Sequence, residues 1–383
     1  MSDDPIRGTE VPIIWNGRRA RAFVPTLLAE AEFNVSPRTV AKCATAVAEL
    51  GFGAEGMVGD LEVLGRLLLR SEGVASSFIE GIRAPIIDVV LAEQDLVDEN
   101  NSAAWVAACL AATEAAFKHV GPLTEQVLLD WHRTLMTGSP LPARFVGVIR
   151  TEQGWIGGND PTDAHLVTAP PQFLPELIAD LIKFANRDDI DPIVQAAILH
   201  GQFEVIHPFG DGNGRLGRIL VGWLLCRRLS LSVAPPFSFS FAAESGAYGA
   251  GLVLYRMGNL DQWIQWFASA IQKAARVQRN LIDELQVIKS NWLHALSEGS
   301  PKLRRDSLAW QLLELLPRKL VLTSSMVENE LGVSKKAALD SLRELVSRGV
   351  LVEHGGLSSG HGKPAILFVS SDLLGLAGSN PLG

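Results

Sequence analysis

Apolar residues recur at three- and four-residue spacing along most of the chain, and this spacing is typical of amphipathic helices. The predicted helices cover residues 36–50, 61–69, 71–79, 86–97, 103–118, 123–136, 173–186, 192–206 and 214–229, and one or two long helices are predicted over residues 260–295. Ser36 followed by Pro37 marks the start of the first one, since proline is favoured in the first helical turn. Residues 1–35 lack this spacing and are expected to be irregular. The pattern therefore predicts a mainly α-helical fold.

Residues 144–170 interrupt the helical pattern. Two short β-prone runs, Phe145–Arg150 and His165–Thr168, flank a segment rich in Gly, Asn and Asp. Runs of this kind separated by turn residues predict a β-hairpin. Pro170 and Pro171 then end the hairpin and lead to the next helix.

A separate unit is predicted for residues 303–375, joined to the rest by a connecting helix over residues 276–302. Its helices are expected at Ser307–Leu316, Thr323–Leu331 and Lys335–Gly349, and its strands at Val350–Val352 and Ala365–Val369, on either side of a Gly/Ser-rich tip. Helices followed by a hairpin in this order are typical of a winged helix-turn-helix.

Length and composition exclude several classes of protein. With 383 residues, the chain is long enough for two or three folding units. Its 47% hydrophobic and 20% charged residues exclude an intrinsically disordered chain. The net charge of −8 provides no general attraction to nucleic acid or to anionic membranes.

Cysteine usage and the start of the chain indicate the cellular compartment. Cys43, Cys109 and Cys226 are far apart and lack CxxC spacing. This argues against a disulfide framework or a structural zinc site and is typical of a reducing compartment. Met1–Pro5 is polar and acidic, unlike a secretory signal, and no apolar run is long enough to span a membrane. We therefore expect a cytoplasmic protein without a membrane partner.

The strongest chemical signal is the stretch from His207 to Arg215, which reads His-Pro-Phe-Gly-Asp-Gly-Asn-Gly-Arg and is followed by Arg218. Three glycines in five residues allow the backbone to approach a ligand closely. The stretch leads directly into a predicted helix, and free N–H groups at a helix N-terminus bind anions. These features predict a phosphate-binding loop.

The charged side chains of the same stretch fit a polyphosphate. Arg215 and Arg218 share one helix face, where two guanidinium groups can contact phosphate oxygens. Asp211 is a candidate ligand for Mg²⁺, and a neutral His207 is a candidate general base for an attacking hydroxyl. The alternative interpretation is a solvated turn with a surface histidine. The convergence of His, Asp, Asn and two Arg with the glycines argues against that alternative.

This stretch resembles the signature of the Fic family, H-x-F-x-[D/E]-G-N-G-R-x-x-R, and matches every fixed position. Phe203-Glu204-x-Ile206 precedes it as in relatives, and the hairpin over residues 144–170 resembles the Fic flap, which holds a target segment by strand addition. The resemblance spans most of residues 10–275, with an N-terminal helical region (1–120) and a core (121–275). It implies transfer of AMP from ATP to a Ser, Thr or Tyr hydroxyl of a target protein, with release of pyrophosphate.

The resemblance also implies individual roles. His207 would act as general base, Asp211 would bind Mg²⁺ and Phe209 would anchor the loop in the core. The nucleotide-binding residues that it implies are Phe209, Gly210, Asp211, Gly212, Asn213, Gly214, Arg215, Arg218 and Tyr248. The match at Tyr248 is partial, because a single tyrosine stands where relatives carry a pair.

Residues 76–81, Ser-Ser-Phe-Ile-Glu-Gly, match the Fic inhibitory pattern [S/T]-x-x-x-E-[G/N]. In family members with this pattern, the glutamate pairs with the second arginine of the motif. The resemblance therefore implies that Glu80 binds Arg218 and prevents productive ATP binding, with Ser76 and Gly81 as the other inhibitory residues. The alternative is an ordinary helix C-terminus with an exposed glutamate and a glycine stop.

Other functions remain as alternatives. The first is removal of AMP, or transfer of another phosphate-containing group, by the same core. The second is a DNA-binding regulator that acts through residues 323–369, where Lys335, Lys336, Arg343 and Arg348 are diluted by Asp340 and Glu344. Because this unit is not strongly basic, protein docking is favoured over nucleic-acid binding. The family resemblance also implies a homodimer.

Overall fold

The computed structural model describes residues 8–51, 61–96, 101–298, 302–357 and 365–378 of the chain. It begins with a β-hairpin in which β1 (Thr9–Trp15) pairs antiparallel with β2 (Arg18–Val24). Asn16 and Gly17 form the two-residue turn, both with positive φ (47° and 78°), which matches the twist of the strands. The expectation that the first residues are irregular was therefore wrong. Pro12 and the arginines of β2 obscure the alternation of apolar residues, while the Asn-Gly turn fixes the hairpin.

The helices that follow form the main body of the protein, and the prediction of a mainly α-helical fold is confirmed. They are α1 (Pro37–Gly51), α2 (Leu61–Ile79), α3 (Ile86–Ala92), α4 (Ser102–Lys118), α5 (Glu125–Leu135), α6 (Leu174–Ala185), α7 (Pro192–Ile206), α8 (Asn213–Leu229), α9 (Phe237–Ala243), α10 (Ser245–Arg256) and α11 (Leu260–Glu298). Asn101, Thr124 and Asp191 cap α4, α5 and α7 by accepting backbone N–H bonds. α9 was not expected, because its alternating Phe and Ser residues do not follow helical spacing.

α7 and α8 form the centre of the main core. Every residue of α7 from Ile193 to Ile206 is buried, and α8 is buried from Arg215 to Leu225. A helix that is buried on all sides lies in the middle of a fold rather than on its surface. Because the glycine-rich loop joins these two helices, the core holds both of its ends rigidly.

α2 is one unbroken helix, which corrects the prediction of two helices separated near residue 70. The polar residues 70–72 suggested an exposed break, but they are buried. Arg70 forms an ion pair with Glu93 at 2.7 Å, and Glu72 accepts a hydrogen bond from the Ser238 N–H at 2.8 Å. The helix continues because these polar groups find partners inside the protein.

The predicted hairpin over residues 144–170, which we call the flap, is present, but its first strand is formed by other residues than those predicted. β3 (Trp155–Ile156) pairs antiparallel with β4 (Leu166–Val167). The run Phe145–Arg150, which was predicted to be a strand, is instead a short 3-10 turn followed by irregular chain. Its last residue, Arg150, is buried and binds carbonyl groups of the core, so this run cannot pair along the flap.

The C-terminal unit contains α12 (Leu308–Lys319), β5 (Val321–Leu322), α13 (Ser324–Leu331), α14 (Lys335–Ser347), β6 (Val352–Leu357), β7 (Ala365–Val369) and α15 (Ser371–Ala377). The strands are ordered β5-β7-β6, with antiparallel neighbours. β5 and α15 were not expected. Between the two predicted strands, where the Gly/Ser-rich tip was expected, residues 353–357 belong to β6 and residues 358–364 lie outside the described residues. The winged helix-turn-helix assignment stays a prediction.

The C-terminal unit packs against α2. Buried leucines of α2 share one hydrophobic cluster with the C-terminal unit; the cluster includes Leu64, Leu67, Leu68, Leu312, Leu316 and Phe368. Arg70 Nη2 also donates to the carbonyl of Arg318 at 2.8 Å. The first half of α2 is therefore part of the same packing as the C-terminal unit.

α11 extends for 39 residues and passes residue 275 without a break, at the position where the connecting helix was predicted to begin. The domain boundaries therefore stay predictions. Among the described helices, none combines the length and the apolar character that crossing a membrane would require.

Candidate active site

The site forms where α7 ends at His207. The backbone of His207 is left-handed (φ 51°, ψ 61°), and its N–H donates to the carbonyl of Phe203 at 2.9 Å. A residue with a side chain rarely adopts this conformation unless its surroundings hold it there. The turn places the imidazole at the wall of a cavity of about 530 Å³, a volume typical of small-molecule sites.

His207 is neutral, and one of its ring nitrogens is available. Nδ1 lies 3.3 Å from the carbonyl oxygen of Glu204, so a proton on Nδ1 is donated to that carbonyl. Burial lowers the pKa of His207 to about 4. The remaining nitrogen, Nε2, is therefore unprotonated near neutral pH and can accept a proton, as a general base must.

Arg150 ties the flap to the end of α7, and sequence reasoning did not identify it. Its Nε donates to the carbonyl of His207 and its Nη2 to the carbonyl of Ala169, both at 2.7 Å. Its backbone N–H donates to the carbonyl of Pro208 at 2.9 Å. Because 57 residues separate Arg150 from His207, no local motif reveals this contact. Arg150 is a positioning residue for His207.

Phe209 and Asn213 close the glycine-rich loop. The Asn213 side chain accepts from the N–H of Phe209 and donates to its carbonyl, both at 2.9 Å. The Phe209 side chain is buried, in agreement with an anchoring role. Because both ends of the Asn213 amide are bound within the loop, this side chain maintains the loop's shape. Its backbone is the part that remains available to a nucleotide.

A second histidine, His132 of α5, supports the loop and was also not identified from the sequence. Its ring stacks on Phe209 with the ring centroids 3.9 Å apart. Nδ1 accepts from the N–H of Gly147 at 2.8 Å, so Nε2 carries the proton and donates to the carbonyl of Asp211 at 3.0 Å. Burial lowers the pKa of His132 to about 4, which keeps the ring neutral in this arrangement.

The start of α8 forms an anion-binding position. Gly212 has φ +79°, a conformation that favours glycine, and the first N–H groups of the helix beyond it have no partner within the helix. Arg215 is buried, and its Nε and Nη1 have no hydrogen-bond partner in the part of the chain that the structure describes. Unpaired buried donors beside a helix N-terminus are suited to phosphate oxygens.

Asp211 is the candidate metal ligand of the loop. Its side chain is 55% exposed, and Oδ1 accepts from the N–H of Gly212 at 2.6 Å. Among the described residues, no cluster of three or more His, Cys, Asp or Glu side chains could hold a metal ion. A cation at Asp211 would therefore need further oxygens from a bound phosphate, as Mg²⁺ does in nucleotide sites.

Arg218 joins three parts of the protein that are distant in sequence. Its Nη2 lies 2.8 Å from Glu80 Oε1, and its Nε donates to Ser76 Oγ at 2.9 Å. Its Nη1 lies 3.4 Å from the hydroxyl of Tyr248. The structure therefore brings the predicted inhibitory residues Ser76 and Glu80 to the predicted nucleotide-binding residues Arg218 and Tyr248.

Glu80 covers the start of α8. It lies in the turn after α2, which Gly81 ends with φ +75°. A Cβ atom on Gly214 would overlap with Glu80 Oε1, so the carboxylate lies directly against the first turn of α8. Burial alone would raise the pKa of Glu80, but Arg218 outweighs it and holds the pKa below its usual value. An ionised carboxylate therefore lies where the helix and Arg218 could contact a phosphate.

The cavity has an apolar wall and a polar wall. The apolar wall includes Ile156 and Leu166 of the flap, and Leu252 and Val253 of α10. Glu80, Glu204, His207, Arg218 and Tyr248 line the polar side. Of the predicted nucleotide-binding residues, the cavity is lined by Gly214, Arg218 and Tyr248. It is not lined by Phe209, Gly210, Asp211, Gly212, Asn213 or Arg215, and Gly210 is exposed on the loop. The cavity therefore contains an apolar surface, suited to a flat apolar group, next to the anion-binding position at the start of α8.

Comparison with known proteins agrees with this arrangement. Residues 122–225 match the model of the Fic/DOC family. This matched segment, called the Fic domain below, includes α5, the flap, α6, α7 and most of α8, and therefore contains His207 and Arg218. Glu80 and Tyr248 lie outside it.

Two adenylyltransferases resemble the region around the Fic domain. The chain is 29% identical over 180 residues to protein adenylyltransferase fic-1 of Caenorhabditis elegans, covering 46% of this chain and 31% of the relative. It is 30% identical over 188 residues to a probable protein adenylyltransferase of Aquifex aeolicus, covering 48% of this chain and 51% of the relative. The chain thus spans about a third to about half of the length of these relatives.

The fold extends beyond the Fic domain. A crystal structure of a Fic family protein from Desulfovibrio desulfuricans aligns with 88% of this chain and 98% of that chain, with a TM-score of 0.55 and 20% identity. At this level of identity the likeness shows the fold alone. It confirms the expected mainly helical, Fic-type architecture.

Proposed function

We propose that this protein is an autoinhibited protein adenylyltransferase, which transfers AMP from ATP to a Ser, Thr or Tyr hydroxyl of a protein, including its own chain. The observation that carries the proposal is the neutral His207 beside the start of α8, where Arg215 has unpaired donors. Attack of a hydroxyl on a phosphate requires a base next to a phosphate-binding position. The adenylyltransferase names of the two relatives support the same reaction.

The transfer is an in-line displacement at the α-phosphorus of ATP. The hydroxyl oxygen of the target forms a bond to this phosphorus, the bond to the oxygen that bridges to the β-phosphate breaks, and pyrophosphate leaves. The hydroxyl proton passes to Nε2 of His207, which is available because Nδ1 donates to the carbonyl of Glu204. N–H groups at the start of α8 and the guanidinium of Arg215 stabilise the charge that develops on the phosphate oxygens.

Mg²⁺ fits the donors that the loop provides. The exposed carboxylate of Asp211 would hold the ion. Phosphate oxygens of the nucleotide and water molecules would supply its other ligands. When bound, Mg²⁺ neutralises part of the phosphate charge. The N–H of Gly212 already orients the Asp211 carboxylate through its bond to Oδ1.

Glu80 would keep the protein inactive in the state described here. Its carboxylate binds Arg218 and lies against Gly214, so it repels the terminal phosphates of ATP from both. Ser76 holds Arg218 in the same position through its Oγ and its carbonyl, at 2.9 and 2.8 Å. Release of Glu80 would leave Arg218 in place and free to bind the γ-phosphate.

The flap would hold the target segment next to the base. Ile156 of β3 and Leu166 of β4 line the same cavity as His207. An extended peptide can add to a strand edge through main-chain hydrogen bonds, which leaves its side chains free to point into a site. Strand addition at the flap would therefore deliver a target hydroxyl to His207.

The basic residues of α14 support protein docking, rather than nucleic-acid binding, by the C-terminal unit. Arg348 pairs with Glu344 at 2.7 Å, and Arg343 lies 3.5 Å from Glu353. Two of the four basic residues on or near this helix are therefore already paired with acidic residues of the same unit. Little positive charge remains to contact nucleic-acid phosphates.

The proposed function is tested by incubating the purified protein with Mg²⁺ and ATP labelled on the α-phosphate. We expect label and the added mass of AMP on the Glu80→Gly protein, and neither on a Glu80→Gly protein that also carries His207→Ala. Label from γ-phosphate-labelled ATP should be absent, because that phosphate leaves with pyrophosphate. A folded Glu80→Gly protein that binds ATP but takes up no α-label would contradict the proposal.

A further inference from the structure

Tyr248 is a residue of the site that the proposed transfer step does not use. It lies in α10 and is only 6% exposed. Its ring stacks on those of Phe241 and His200, with the ring centroids 5.1 and 5.7 Å apart. Close aromatic packing of this kind fixes the orientation of a ring. The position of the Tyr248 hydroxyl is therefore set by its neighbours in the core.

The Tyr248 hydroxyl lies between Arg218 of α8 and His200 of α7. Its oxygen is 3.4 Å from Arg218 Nη1 and 2.7 Å from His200 Nε2. A guanidinium group has only donors, so the hydroxyl oxygen accepts from Nη1. Within the described part of the chain, His200 Nε2 is the acceptor that remains for the hydroxyl proton. The three side chains therefore form a chain of hydrogen bonds that runs from Arg218 through Tyr248 to His200.

The protonation states of His200 and Tyr248 fit this direction of the hydrogen bonds. Burial, reinforced by the positive charge of Arg218, lowers the pKa of His200 to about 3, so the imidazole is neutral. With Nε2 as acceptor, its proton lies on Nδ1, next to the backbone of Gly217. A Cβ atom on Gly217 would lie 3.1 Å from Nδ1, so glycine leaves room for the ring. Burial also raises the pKa of Tyr248, which keeps its hydroxyl protonated.

Arg218 Nη1 is the nitrogen of this guanidinium that lies beside the anion-binding position. A Cβ atom on Gly214 would lie 3.2 Å from Nη1, so this nitrogen is next to the first turn of α8. Ser76 and Glu80 bind the other two nitrogens, Nε and Nη2. Each terminal nitrogen of a guanidinium carries two hydrogens, so Nη1 can bind Tyr248 with one and a phosphate oxygen with the other.

We propose that Tyr248 and His200 are positioning residues for Arg218, and that they act on the γ-phosphate of ATP through Arg218 rather than on the adenine base. His200 accepts the hydroxyl proton of Tyr248, which leaves the hydroxyl oxygen directed at Arg218 Nη1. A γ-phosphate that replaces Glu80 then binds a guanidinium that is already oriented, so less side-chain ordering opposes binding. This inference rests on the proposed function, because that function places ATP in the cavity.

The proposal is tested by measuring the dissociation constants of ATP and ADP, each with Mg²⁺, by calorimetry on the full chain. Every variant is made in a chain that carries Glu80→Gly, which frees Arg218, and His207→Ala, which prevents transfer during the titration. Tyr248→Phe should weaken ATP binding about three- to tenfold, because it removes one long hydrogen bond to a charged group. ADP binding should change by less than about twofold, since ADP has no γ-phosphate for Arg218 to bind.

Variants of His200 test the second half of the chain of hydrogen bonds. His200→Leu removes the acceptor and should weaken ATP binding by a similar factor, whereas His200→Gln places an acceptor near the position of Nε2 and should retain most of the affinity. Tyr248→Phe and His200→Leu together should do no more than either one alone, because both act through one hydroxyl. Tyr255→Phe is the matched control, since Tyr255 is a buried tyrosine of the same helix that binds Gln202 and does not line the cavity. Thermal unfolding of each variant verifies that it is folded.

Each outcome decides between the possibilities. Equal weakening of ATP and ADP by Tyr248→Phe would overturn the proposal, because a contact to the base or ribose is shared by both nucleotides. A folded Tyr248→Phe protein that keeps its full affinity for ATP would also overturn it, while leaving adenylyl transfer intact. Additive effects of Tyr248→Phe and His200→Leu would exclude His200 from the positioning of Arg218. If the Glu80→Gly, His207→Ala chain binds neither nucleotide and Glu80→Gly takes up no α-label, the proposed function and this inference fail together.

Discussion

Glu80 Oε1 lies 2.8 Å from Arg218 Nη2, although 138 residues separate the two along the chain. The two members of this ion pair differ in their environment, since the side chain of Arg218 is 1% exposed and that of Glu80 is 37% exposed. Arg218 is also held by Ser76, so it keeps its position without Glu80. We infer that Glu80 is the movable member of the pair and Arg218 the fixed one.

Replacing Glu80 by glycine should activate the protein. The substitution removes the carboxylate from Gly214 and Arg218, so the terminal phosphates of ATP can occupy that position. We expect self-labelling with α-labelled ATP to rise at least about tenfold, which corresponds to about 1.4 kcal/mol of relieved inhibition. Glu32→Gly, a change of an exposed loop glutamate that does not line the cavity, is the control. Equal labelling of Glu80→Gly, Glu32→Gly and wild type would reject the inhibitory role.

Ser76→Ala should slow transfer by the Glu80→Gly protein. The substitution removes the Oγ that accepts from Arg218 Nε and leaves only the Ser76 carbonyl, so Arg218 is held less well for the γ-phosphate. A hydrogen bond to a charged group contributes about 1.5–3 kcal/mol, so we expect labelling to fall about tenfold or more. Ser71→Ala in the same Glu80→Gly protein is the matched control, because Ser71 is a buried serine of the same helix whose Oγ bonds to Leu67. A fall no larger than that of Ser71→Ala would show that Ser76 Oγ does not position Arg218.

The rate of transfer by the Glu80→Gly protein should depend little on pH between 7.5 and 5.5. Burial depresses the pKa of His207 to about 4, so the neutral base persists above that value and is lost only as the pH falls through it. A histidine with the ordinary pKa of about 6.5 would lose roughly tenfold of its neutral form by pH 5.5. Initial rates at saturating ATP, measured at half-unit steps of pH, distinguish a lowered pKa of His207 from the ordinary value. A tenfold loss of rate by pH 5.5 would show that His207 titrates normally.

The lowered pKa of His207 also makes the free energy of unfolding depend on pH, and this free energy, like the rate, falls as the pH falls. Because the folded state favours the neutral form of His207, its contribution to the free energy of unfolding is fully present above pH 6.5 and is lost as the pH falls toward 4. The wild type should therefore lose more stability between pH 6.5 and pH 4 than the His207→Ala protein does. Urea unfolding at several pH values measures this difference, and parallel curves for the two proteins would contradict it.

Replacing Arg150 by methionine should slow the transfer by misplacing His207. The substitution removes donors to the carbonyls of His207 and Ala169, and displacements of this kind reduce rates by about tenfold to a hundredfold. It also removes a positive charge that lowers the pKa of His207, so the acid limb of the rate profile should move to higher pH. Arg276→Met, at an exposed ion pair on α11, is the control. A lower rate without a shifted pH profile would indicate a general structural defect.

The sequence could predict the parts of the site that are contiguous. His207 to Arg218 is one uninterrupted stretch, and its glycines, histidine and arginines indicate their chemistry by spacing alone. Residues 76–81 are also contiguous, and their resemblance to the Fic inhibitory pattern implied Glu80 as the partner of Arg218 before the structure placed the two side by side. The helical core was predictable for a similar reason, since helical periodicity is a local property.

Errors arose where burial, rather than local spacing, decides the structure. Residues 70–72 looked like a break because they are polar, yet buried partners such as Glu93 and Ser238 satisfy them and α2 continues. Phe145–Arg150 looked like a strand because its apolar residues are β-prone. The structure instead uses Arg150 to bind carbonyls at the end of α7, which prevents this run from pairing in the flap.

The sequence by itself determined the mainly helical fold, the phosphate-binding loop and the residues that carry its chemistry, because each depends on neighbours within a few positions. Only the tertiary structure decided that His132 and Arg150 hold this loop. These roles depend on contacts between segments far apart in sequence and on exclusion of water. Such contacts and the pKa shifts that burial causes have no signature in local residue spacing.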